Sequence, residues 1–166
     1  MPFIALLFLK CTPDRGPVLF QMEYFDETFT IDPAFDPFLT HTFQYRIPTD
    51  YNFYKNDLAF SDEDIISITP RRFRMTNVST NDDYNFINEI SVRIIDPETP
   101  DTPFEIFYHL PANRRLDNFI DLIPNDKELK SIMIRDRFEI EVRLIRFRDR
   151  PPTLITTRFE FGFDVR

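Results

Sequence analysis

The chain has 166 residues, with 28 Asp and Glu against 20 Lys and Arg, a net charge of −8 and a pI near 4.8. Acidity of this kind repels phosphate backbones, which excludes a general nucleic-acid binder, and gives no electrostatic hold on an anionic bilayer. With 20 Phe, 14 Pro, 2 Gly and no Trp, strand formers are abundant, and the glycines of phosphate loops and nucleophile elbows are missing.

In chain order, Phe3–Leu9 is an apolar run. It is too short to span a bilayer, which takes about 20 residues, but has the length of an export signal's apolar region. It leads to Cys11, the single cysteine, which has no partner for an internal disulfide. We read 1–10 as a signal-like leader, Cys11 as the lipid-anchored first residue of the mature protein, and 11–17 as a breaker-rich tether. No basic residue precedes the run, and Lys10 stands where lipoprotein processing uses Gly, Ala or Ser. The other reading is a first strand with Cys11 as a small buried hydrophobe.

Residues 18–166 read as one domain with period-two alternation. Phe20, Met22 and Tyr24 share a face, and Phe29 and Ile31 form a short continuation stopped by Asp32-Pro33. Phe43, Tyr45 and Ile47 follow, ended by Pro48. Ile66 and Ile68 alternate, and Phe73 and Met75 resume beyond Pro70 with opposite parity, the mark of a β-bulge. Ile90, Val92 and Ile94 make a strand. After a Pro-rich connection, Phe104, Ile106, Tyr108 and Leu110 share a face. Phe119–Ile123 fits a strand, although Leu116, Phe119, Ile120 and Ile123 also have helical spacing.

Asp126 is placed to cap a short helix carrying Leu129, Ile132 and Met133. Phe138, Ile140, Val142 and Leu144 then alternate with Arg137, Glu139, Glu141 and Arg143, and Phe159, Phe161, Phe163 and Val165 close the chain. About eight strands and one short helix predict an all-β fold, an antiparallel two-layer β-sandwich with Ig-like or Greek-key connections. A membrane barrel needs strands of about 9–11 residues, longer than most runs here.

No catalytic constellation is visible. His41 and His109 lie in or beside strands, and with one Cys they make no zinc pattern. Asp62 and Asp64 in one acidic loop, with Asp82 and Asp83 in another, would surround Ca²⁺ if both loops met at one end of the domain. Tyr51, Phe53 and Tyr54 fall in a polar loop, 49–56, where they would stack on a sugar or fold back as a lid. Arg71, Arg72 and Arg74 read as wet-face residues paired with acidic neighbours, and Asn77-Val78-Ser79 is a glycosylation sequon.

The order of these features resembles short, uncharacterised cell-envelope lipoproteins of Bacteroidota-type bacteria. It runs from an apolar leader ending at Cys11 through Phe29-Thr30-Ile31-Asp32-Pro33 and Ile87–Ile94. Leu129-Lys130-Ser131-Ile132 then leads into Phe138-Glu139-Ile140-Glu141-Val142. The resemblance implies an envelope β-sandwich without enzymatic activity, at the outer membrane or in the periplasm. The expectation is a lipid-anchored structural or partner-binding protein with no cofactor and a protein or glycan partner. The alternative is a carbohydrate- or calcium-binding module.

Overall fold

The computed structural model describes residues 16–110 and 116–166, so the leader and Cys11 lie outside the described residues. Eight strands and two helices follow one another: β1 (Phe20–Ile31), β2 (His41–Pro48), α1 (Tyr51–Asp57), β3 (Ile68–Asn77), β4 (Ile87–Ile95), β5 (Phe104–His109), β6 (Phe119–Pro124), α2 (Lys130–Met133), β7 (Arg137–Phe147) and β8 (Ile155–Val165). The strands form a sheet in the order β1-β8-β3-β6-β5-β4-β7-β2, with every neighbouring pair antiparallel. The all-β expectation is met.

The sheet is nearly closed. β5 and β6 join through only the pairs Phe107–Pro124 and Tyr108–Ile123. The outermost strands, β1 and β2, meet through side chains: the Phe29 and Phe43 rings stack at 4.3 Å, and tyrosine hydroxyls reach across to backbone carbonyls.

Alternation explains the interior. Phe138, Ile140, Val142 and Leu144 of β7 are fully buried, as are Phe161, Phe163 and Val165 of β8, while Phe159 is nearly so. Rings from distant strands interlock there: Tyr24 lies 4.9 Å from Phe161 and 5.5 Å from Phe138, and Phe73 lies 5.4 Å from Phe107. Such pairs add about 0.5–1.5 kcal/mol each beyond the area they bury.

Parity slips become bulges. β1 is one long strand whose register shifts between Tyr24 and Glu27, where Asp26 adopts φ 69°, so Phe20 and Phe29 both face inward despite opposite parity. The slip at Pro70 is likewise a register shift between Pro70 and Arg72.

Several expectations need correction. β3 starts at Ile68; Ile66 precedes it and is 71% exposed. In β5 an extra residue, Ile106, opposite Val92 and Arg93 of β4 turns Phe107 into the core as well, leaving Tyr108 half-buried and Leu110 exposed. Segment 119–124 is a strand with Ile120 and Leu122 inward, so helical spacing there was accidental. The N-cap of α2 is Leu129, not Asp126, and Glu128 accepts the Lys130 amide at 2.7 Å.

The expected loop 49–56 contains α1, giving two helices rather than one. Tyr51 and Tyr54 are three residues apart, which on a helix places both on the inner face, while Phe53 points out.

Candidate functional site

Because all neighbours are antiparallel, odd-numbered strands run one way and even-numbered strands the other. Connections 32–40, 78–86 and 148–154 therefore lie at one end, here the upper end. Connections 49–67, 96–103 and 125–136, with the approach to β1 and the exit from β8, lie at the lower end.

The lower end is closed by the two helices. Tyr51 is 1% exposed and donates its hydroxyl to Asp62 at 2.7 Å. Lys55 binds the same carboxylate oxygen at 2.9 Å, while Lys130 donates to the carbonyls of Asp62 and Ile65. The Lys55 bond, then the Tyr51 bond, holds the Asp62 carboxyl below its ordinary range, and burial with that bond raises Tyr51. This is a clasp between α1, α2 and the approach to β3.

The predicted metal loops are not brought together. Asp62 and Asp64 precede β3, whereas Asp82 and Asp83 follow it. A strand of this length separates them by roughly 30 Å. Each is engaged locally: Asp64 accepts the amide and hydroxyl of Ser61, Asp82 the hydroxyls of Thr80 and Thr153, and Asp83 the Asn85 amide. Among the described residues no three His, Cys, Asp or Glu side chains stand close enough to share a metal ion.

The predicted aromatic platform is divided. Tyr51 is in the core, and Tyr54 lies along β1, exchanging bonds of 3.3–3.4 Å with the backbone of Glu23. Phe53 alone stands out, at 70% exposure. The arginines pair as expected: Arg71 and Arg72 hold Glu23 at 2.8 and 3.0 Å, and Arg74 holds Asp121 at 2.6 Å. The sequon asparagine, Asn77, is 5% exposed, and its amide nitrogen donates to Thr80 and to the Asp82 carbonyl. A glycan cannot be joined to a nitrogen committed in this way without opening the turn.

A cleft of about 580 Å³ opens at the upper end, between the β1–β2 and β7–β8 connections. Asp36, Phe38, Phe147, Arg148, Asp149 and Arg150 line it. One lining ring, Phe147, belongs to a stack behind the cleft: His41 lies 5.4 Å from it and 4.0 Å from Phe35, nearly parallel to the latter. The His41 Nε2–H donates to the Asp36 carbonyl at 2.8 Å, so this imidazole braces a loop. The other histidine, His109, is half-buried at the same end, and burial followed by the nearby Arg148 guanidinium lowers its pKa.

None of the cleft residues is conspicuous by motif. The usable signal was an aromatic residue, Phe38, set between breakers in Asp32-Pro33-Ala34-Phe35-Asp36-Pro37-Phe38, outside any alternation. No helix among the described residues is long and apolar enough to cross a membrane. No protein-family model, curated protein or solved structure matches this chain.

Proposed function

We propose that this chain is a non-enzymatic cell-envelope lipoprotein, held at the outer membrane or in the periplasm through Cys11, whose β-domain presents its upper-end loops to a partner. The observation that carries this reading is directional. The chain enters β1 at the lower end, and the cleft opens beyond the far end of the same strand. A strand as long as β1 spans roughly 40 Å. A lipid on Cys11 would place the helix-closed end toward the bilayer and the cleft away from it.

The strand order supports a two-layer architecture, β1-β8-β3-β6 against β2-β7-β4-β5, which is the jelly-roll arrangement of two Greek keys. His41 braces the β1–β2 loop through its bond to the Asp36 carbonyl, a structural part that suits a loop built for recognition.

The test is metabolic labelling with a tagged palmitate in a bacterial host, comparing wild type with Cys11→Ala. Label and membrane association in the wild type, both lost in the variant, are the expected result. An unlabelled wild type, or equal label in both, overturns the anchor.

A further inference from the structure

We infer that the upper-end cleft is a binding site for a neutral saccharide, with the sugar face on Phe38 and its hydroxyls bonded by Asp36, Asp149, Arg148 and Arg150. The inference rests on the upper end being the presented surface, and it names the ligand class that surface takes.

The first argument is a bare ring carried on a braced loop. Phe38 is 91% exposed. Its loop is nevertheless braced: the Asp36 carboxylate accepts the Phe38 amide at 2.9 Å, the Asp36 carbonyl accepts Leu39 N–H and His41 Nε2–H, and Phe147 N–H donates to the Pro37 carbonyl at 3.3 Å. Fixing a loop costs conformational entropy, and an aromatic ring in water returns none of it. An uncovered ring on a braced loop is suited to an apolar ligand face, because the loop's ordering cost is met before binding.

The second argument is charge balance. Two carboxylates and two guanidinium groups line the cleft, so their formal charges cancel. A polyanion would meet Asp36 and Asp149, and a polycation would meet Arg148 and Arg150. A hydroxyl both donates and accepts, so a polyol satisfies both kinds of group at once. Saccharides combine such hydroxyls with an apolar C–H face, which matches the single exposed ring beside four polar side chains. The cleft volume of about 580 Å³ falls within the roughly 300–1,000 Å³ of small-ligand sites.

The test uses the full chain on an array of neutral, uronate-bearing and sulfated oligosaccharides, followed by calorimetric titration with the neutral glycan that gives the highest signal. Binding to neutral glycans is expected, weakened about tenfold or more by Phe38→Ala, a loss of about 1.4 kcal/mol. Asp149→Asn and Arg150→Gln should each weaken it severalfold, whereas Phe53→Ala, at the opposite end, should not. Phe38 is too exposed to hold the fold together, and a thermal melt of each variant verifies that. A folded wild type that binds no neutral glycan, binds only charged ones, or binds equally well as Phe38→Ala overturns the inference. Palmitate label without glycan binding would refute the saccharide site alone, and glycan binding without label would refute the anchor alone.

Discussion

Tyr24 and Tyr45 reciprocate across the one seam of the sheet that the described backbone ladders leave open. Tyr24 on β1 donates its hydroxyl to the Thr49 carbonyl just beyond β2, at 2.6 Å, and Tyr45 on β2 donates to the Thr28 carbonyl on β1, at 2.8 Å. Burial raises both phenols, and with Glu27 nearby pushes Tyr45 up to about 12, so both remain donors at physiological pH. Tyr24→Phe leaves the buried Thr49 residue without this donor and should cost about 1–3 kcal/mol. Tyr45→Phe acts at a more open site and should cost about 0.5–1.5 kcal/mol. Urea midpoints measure both, and an unchanged midpoint for Tyr24→Phe would show the seam to be held by packing alone.

Glycine has a steric role at position 162. Glu23 on β1 and Arg72 on β3 both lie opposite Gly162 of the intervening β8, and their ion pair passes over it. A Cβ there would stand 2.8 Å from Glu23 Oε2. Gly162→Ala should therefore displace Glu23 from Arg71 and Arg72 at a cost of about 1 kcal/mol. In a double-mutant cycle, Glu23→Ala should absorb most of that cost; additive effects would place the strain elsewhere.

Ala59 sits at φ 59°, where a Cβ is unfavourable, just after α1. Ala59→Gly should raise stability by about 0.5–1 kcal/mol, the relief exceeding the added freedom of the unfolded chain. A lower melting temperature for this variant would contradict that sign.

Acid should weaken the fold in two stages. His109 is depressed by burial and by Arg148, so below the ordinary imidazole value of 6.5 the unfolded chain takes up a proton that the folded chain resists. Stability then declines as pH falls, until folded His109 itself protonates. Asp62 is also depressed, below the ordinary aspartate value of 3.8, by its bonds from Lys55 and Tyr51. Its contribution is complete above that value and is lost as pH falls through the folded-state pKa. Melting temperature against pH should show both stages, and His109→Gln should abolish the upper one. Survival of the upper stage in that variant would assign it to another group.

Core and surface rings should respond in opposite ways. Phe138→Ala empties a fully buried site among Tyr24, Phe161 and Phe163 and should cost about 3–5 kcal/mol. Phe53→Ala should stay within about 0.5 kcal/mol of wild type. Thermal denaturation of the pair checks the assignment of inside and outside.

The inward faces of β7 and β8 were legible in sequence because strict alternation has a single solution: one face in, one face out. The bulge at Pro70 was legible for the same reason, since a parity slip needs an extra residue. Phe107 was not legible, because Phe104, Ile106 and Tyr108 alternate equally well until the extra β5 residue opposite Val92 and Arg93 is known. Helix α1 was missed because its polar residues hid the three-residue spacing of Tyr51 and Tyr54. The candidate site was missed almost completely. Phe38 comes from one connection and Arg148, Asp149 and Arg150 from another, and only the strand order makes those connections neighbours. Conversely, the two acidic loops looked alike in sequence, yet β3 holds them at opposite ends.

At the lower end, Leu19 N–H donates to the Val165 carbonyl, and Ile66 and Ser67 both donate to that of Arg166. The start of β1 and the end of β8 thus lie side by side. A fluorescent reporter or affinity handle placed after Arg166 would sit at the lower end, leaving the aromatic mouth opposite unobstructed for imaging or capture in living cells.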